Sequence, residues 1–95
     1  MRRALLLVLV FAGACRVAPP VATQADADRA HVELAELSEG RATLVRKCGS
    51  CHKAPLPRDH TALEWPAKLD EMSQRASLDP HQRRVIERYL TAMAR

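Results

Sequence analysis

Lys47-Cys48-Gly49-Ser50-Cys51-His52 is the stretch that decides how this chain is read. Cys48, Cys51 and His52 spell C-x-x-C-H, the spacing at which two thiols and an imidazole can be joined to one haem. Each thiol adds across a vinyl group of the porphyrin and forms a thioether. Two intervening residues let one turn of backbone present both sulfurs to one porphyrin edge. The next residue projects its imidazole at the iron, which makes His52 the proximal ligand. Gly49 and Ser50 are short, so the backbone can lie close to the ring. Two other chemistries use the same side chains. A redox C-x-x-C needs a βαβ context, and nothing nearby reads as a strand. A structural zinc site needs four ligands, for which His60 would have to join Cys48, Cys51 and His52; adjacent Cys51 and His52 suit that spacing poorly. A disulfide across two residues would be strained and would stabilise little. Haem is the preferred reading, with zinc and redox thiols as the alternatives.

The start of the chain points to export. Arg2 and Arg3 form a positive n-region, and residues 4–14 form an apolar segment of about 11 residues, too short to span a bilayer. Ala12-Gly13-Ala14 is a small-residue cleavage site directly before Cys15. Residues 1–14 are therefore expected to be a signal peptide, and the chain to be exported. Phe11-Ala12-Gly13-Ala14-Cys15 resembles a bacterial lipobox, although Ala12 stands where leucine is commonest. Lipidation of Cys15 is favoured over simple cleavage beside a chance thiol, which would be a liability in an exported protein. Residues 15–27, with Pro19-Pro20, are expected to be an extended, unpacked tether. The folded domain is expected over 28–95, with its core over about 39–93.

The mature chain then has roughly 80 residues, a size at which a hydrophobic core alone is marginal. Its aromatics are Trp65 and Tyr89, since Phe11 leaves with the signal. A porphyrin would fill volume that such a core lacks, and binding would then be linked to folding. Loss of Arg2 and Arg3 takes the formal net charge from +4 to +2. No basic run interleaved with aromatics argues for nucleic acid. There are no internal repeats.

The periodicity predicts an all-α chain. Asp28 to Leu37 has a modest helical pattern, interrupted at Ser38-Glu39-Gly40-Arg41, with Ser38 as an N-cap. The next helix carries Leu44 and Val45 on one face and ends at Cys48. Residues 53–60 contain Pro55 and Pro57 and read as a loop. Thr61 and Glu64 have capping-box spacing ahead of a helix that runs to about Arg75, with Trp65, Leu69, Met72 and Ala76 on one face. Asp79-Pro80-His81-Gln82 starts the last helix, in which Val85, Ile86, Tyr89, Leu90 and Met93 form an apolar stripe.

The combination of Gly40, Cys48-x-x-Cys51-His52, Trp65, Met72, Leu78, Ile86 and Tyr89-Leu90 resembles small bacterial monohaem cytochrome c domains, over about residues 39–93. That resemblance implies a few helices wrapped on one covalent haem c, with the first and last helices crossing. It implies that a methionine downstream of the tryptophan is the sixth iron ligand, which is Met72 here. It also implies a backbone carbonyl, assigned to Pro57, that accepts the N–H of the proximal histidine; the alternative for Pro57 is a simple turn. The chain between His52 and Trp65 is shorter than in mitochondrial-type cytochromes, so the haem edge is expected to be more exposed.

Met72 could instead be core filler, and His60 could ligate from the loop. Met93 reads as packing, and His31 and His81 as solvated. A site filled by His52 and Met72 has no place for a substrate and suits an electron carrier rather than an enzyme, with redox proteins as partners. The bacterial periplasm is the expected location, with contact to the membrane only through lipid at Cys15. A haem enzyme or sensor with an open distal position, and a zinc-binding exported lipoprotein, are the competing classes.

Overall fold

The computed structural model describes residues 17–49 and 53–94. Every regular element among them is helical: α1 over Gln24–Ala30, α2 over Leu34–Cys48, a 3-10 turn over Pro57–Asp59, α3 over Trp65–Arg75 and α4 over Pro80–Met93. The expected all-α class is what the chain adopts.

α4 is the centre of the packing. It is started as its sequence predicts: Gln82 N–H donates to Asp79 Oδ1 at 2.7 Å and Asp79 N–H to Gln82 Oε1 at 3.1 Å. Its stripe of Val85, Ile86, Tyr89 and Leu90 is fully buried. Ile86, Tyr89 and Leu90 join Leu44 of α2 and Trp65 and Leu69 of α3 in the main apolar cluster. Burying each such side chain contributes roughly 1.5–3 kcal/mol. A smaller cluster of Ala22, Ala27 and Leu37 lies beside it, and Met93 packs on both. Met93 is thus a packing residue, as its place in the stripe predicts. α3 turns into α4 through Ser77, whose φ of 53° is left-handed. Leu78 N–H there returns to Ser73 C=O at 3.0 Å, and the Leu78 side chain packs on the main cluster.

α2 corrects the expected break at residues 38–41. It is one helix of 15 residues, and Ser38 lies inside it rather than capping it. Gly40 is tolerated mid-helix because α2 and α4 meet there. A β-carbon at Gly40 would stand 2.0 Å from the Val85 carbonyl oxygen and 2.8 Å from Tyr89 Cβ. Alanine would improve helix propensity by about 1 kcal/mol. The backbone carbonyl cannot move aside as a flexible side chain could, so the helices would have to separate. Gly40→Ala should therefore destabilise the fold by about 3 kcal/mol, read from the shift of the urea midpoint. An unchanged or raised midpoint would show that the two helices do not meet at this residue. One helical face was also misassigned: Leu44 is fully buried, but Val45 is 41% exposed.

Residues 17–27 correct the expected unpacked tether. Pro19 and Ala22 are buried. The Pro19 carbonyl accepts from Arg41 Nε at 2.8 Å, and the Pro20 carbonyl accepts from the Tyr89 hydroxyl. Two prolines bring stiff backbone with free acceptors and no N–H of their own, which suits them to lie across donors on α2 and α4. α1 then begins with a capping box. Asp26 Oδ2 accepts from Thr23 N–H at 2.8 Å, and Thr23 Oγ1 accepts from Asp26 N–H at 3.3 Å. It ends at left-handed His31, with Val32 folded back on the smaller cluster. Small alanines let this short helix sit close against α2 and α4.

The charged ends of this N-terminal strap set a pH window. The Thr23 backbone N–H and the Arg29 guanidinium hold the Asp26 carboxyl down to about 2. Its unfolded value is near 3.9, so the stabilisation is complete above that pH and is lost as pH falls toward about 2. Burial pushes the Tyr89 hydroxyl up to about 12, so its contribution persists below about pH 10 and is lost as pH rises through 12. Amide protection factors, which correct for the slower intrinsic exchange in acid, should fall over residues 22–30 between pH 4 and pH 2 more than in α4, and Asp26→Asn should remove that difference. An equal fall in protection in both segments would count against a local acid release.

Candidate functional site

Cys48 is the last residue of α2. The helix brings it there on the same side as Leu44, one turn earlier, and it lies half-buried against the main apolar cluster. Gly49 closes the helix, with its N–H on Val45 C=O at 3.0 Å. Arg46 and Lys47 occupy the last turn, where positive charge complements the helix dipole. Ser50, Cys51 and His52 lie outside the described residues, as does Cys15.

The chain that follows is a latched loop. Asp59 N–H donates to Leu56 C=O, and Leu56 N–H to Asp59 Oδ2, both at 2.9 Å. Pro57 is buried, and its carbonyl accepts from Trp65 Nε1 at 3.0 Å. The Pro57 oxygen expected to serve His52 is thus held by the indole. It has a second lone pair, and the histidine assignment remains an expectation. His60 sets its ring edge-on to Trp65, with centroids 4.8 Å apart and planes at 89°. Trp65 therefore does more than line a helix face: it ties the loop after C-x-x-C-H to the start of α3. Sequence reasoning missed this role. The available signal was a tryptophan shortly after two prolines, since a buried indole N–H needs an acceptor and prolines leave their carbonyls free.

α3 is led in by the predicted box. Thr61 N–H donates to Glu64 Oε1 at 2.9 Å and Glu64 N–H to Thr61 Oγ1 at 3.3 Å, one turn before the helix proper begins at Trp65. Those bonds to Thr61 lower the Glu64 carboxyl. Trp65 and Leu69 are fully buried in the main cluster. Met72 follows Leu69 by one turn and is half-buried, but it is not one of the side chains packed on that cluster. It is thus a half-buried thioether on the helix face that also carries Trp65 and Leu69. His81 is exposed, its Nε2 2.6 Å from Glu39 Oε1, and His31 is exposed at the end of α1.

Two soft donors, the Cys48 sulfur at the end of α2 and the Met72 sulfur on α3, belong to helices that converge on one apolar cluster. That donor chemistry fits a flat apolar group attached through sulfur and ligated by thioether. Among the described residues no three His, Cys, Asp or Glu side chains gather as a metal-binding group. No helix among them is long and apolar enough to cross a membrane. Comparison with protein-family models, with curated proteins and with solved structures gives no match.

Proposed function

We propose that this chain is an exported monohaem c-type cytochrome that carries single electrons between redox proteins in the bacterial periplasm. The observation that carries the reading is where the C-x-x-C-H motif begins on the fold. Its first cysteine ends α2, half-buried against the cluster that also holds Trp65 and Leu69, with Met72 one turn further along α3. The close packing of α2 on α4 at Gly40 supports it too, because the resembled family crosses its first and last helices.

When bound, haem c supplies an iron that alternates between ferric and ferrous states. Cys48 and Cys51 would hold it covalently, and His52 and Met72 would fill its two axial positions. A thioether at Met72 favours the ferrous state relative to a second histidine, and two filled positions leave no room for a substrate. The Pro57–Trp65 bond fixes the loop that leaves His52 and restricts how far that loop can swing. Lipid on Cys15 would keep the carrier at the membrane.

The test is an absorption spectrum of the native exported protein, oxidised and reduced, together with haem staining after denaturing electrophoresis. Sharp bands in the reduced spectrum and a stained band at the protein's own mobility are expected. A colourless protein with bound zinc would replace this reading with the zinc-lipoprotein one.

A further inference from the structure

The N-terminal strap fixes where a lipid at Cys15 would hold the domain. Pro19 is the first buried residue of the described chain, and its carbonyl is bonded to Arg41 on α2. Only Arg16, Val17 and Ala18 separate it from Cys15. Four residue steps span at most about 14 Å. A lipidated Cys15 therefore cannot act as a long leash, and the surface beside Arg41 must stay near the bilayer.

That surface has the composition for it. Among the described residues, the large apolar side chains left exposed are Val17 (57%), Val21 (68%), Val45 (41%) and Leu63 (93%). Three of the four are at the anchored end. Val17 and Val21 flank the two prolines, and Val45 is one helical turn from Arg41 on the same side of α2. The strap runs antiparallel to this part of α2, from Arg41 at Pro19 toward the cluster of Leu37 at Ala22. The exposed face of this half of α2 is Ala42, Val45, Arg46 and Gly49, at helical spacing. It carries one cation and no acid, unlike the Ser38 and Glu39 end.

We propose that this face, Val17, Val21, Ala42 and Val45 with Arg46 at its edge, seats the domain directly on a bilayer containing anionic lipid. The proposal rests on the reading of Cys15 as the lipidated N-terminus. Apolar contact and attraction of cations to anionic headgroups then add to the lipid chains. Cys48 lies two turns beyond Arg41, about 10 Å along α2, so its end of the helix is held close to the membrane surface.

The test is NMR of the reduced, lipidated mature protein in nanodiscs of phosphatidylethanolamine and phosphatidylglycerol, with and without a nitroxide-headgroup lipid. Amide signals of Val17, Ala18, Val21, Ala42 and Val45 should lose most of their intensity, while those of Leu63 and Arg84 should keep it. Val17→Ser with Val21→Ser should spread the loss evenly over the surface, and the protein should remain on the discs; both residues are exposed, so the fold should survive. Signals that fade evenly, or on another face, in the unaltered protein overturn the seating and leave the lipid anchor standing. Protein that does not sediment with the discs has no lipid at Cys15, which ends the anchoring reading and this proposal together. Broadening of the same signals with rising concentration in detergent would assign the face to a second copy of the chain, and would also overturn it.

Discussion

Protein in which Cys48 and Cys51 are both serine should carry no haem through denaturing electrophoresis, whereas the unaltered protein should stain and should keep its haem in acid–acetone. The expectation follows from the bonds. A thioether survives denaturation, and an axial ligand alone does not. Each single variant should retain one thioether and stain with an altered spectrum. The fold should also suffer, because the mature chain is near the size at which a core alone is marginal, about 4–12 kcal/mol for some 80 residues. The loss should be uneven. Cys48 borders the main cluster, whereas Gly40 lies about two turns, and Leu37 of the smaller cluster about three turns, before it on α2. Circular dichroism of the double variant should show reduced helix and a lower melting temperature rather than a full coil. Haem extracted freely from unaltered protein would end the covalent reading, and full staining of the double variant would do the same.

What the sequence made legible depended on how local the signal was. α4 was readable from end to end because its cap, its proline and its box sit within four residues and its stripe has strict helical period. The box at Thr61 and Glu64 was readable for the same reason. Gly40 was not, since propensity reads it as a break while the contact that demands it comes from Val85, 45 positions later. The strap was misread from its own composition. Pro19-Pro20 does specify extended chain, but the donors that bind its carbonyls, Arg41 and Tyr89, are remote in sequence. A local sign of α1 was present, because Thr23 and Asp26 have capping-box spacing with the shorter carboxylate. The candidate site divides in the same way: the C-x-x-C-H spacing is contiguous and visible in the sequence, whereas the link from Pro57 to Trp65 appears only when the loop is folded.

Met72→Ala should abolish the weak near-infrared charge-transfer band that thioether ligation gives ferric haem, and should lower the reduction potential. The proposed role of Met72 rests on its position: it shares a helix face with Trp65 and Leu69, which are fully buried, yet it is only half-buried and stays off the cluster they form. A methionine needed only for packing would be expected within that cluster, where Met93 is found, bridging both apolar groups. The two methionines therefore make a matched pair for the experiment. Losing the soft ligand removes the preference for ferrous iron and opens a coordination position, so the variant should bind carbon monoxide and cyanide that the unaltered protein excludes. The thioether has no proton to lose near neutrality. The band of the unaltered protein should therefore persist until a competing group such as a lysine deprotonates, in the range of its ordinary value of about 10.4. Met93→Leu keeps volume in a packed position and should cost under about 1.5 kcal/mol of stability while leaving band, potential and ligand exclusion unchanged. Loss of the band in Met93→Leu with retention in Met72→Ala would move the ligand to the last helix. Retention in both would remove methionine from the iron and make His60 the next side chain to replace, because it lies in the loop that follows C-x-x-C-H, edge-on to the buried Trp65.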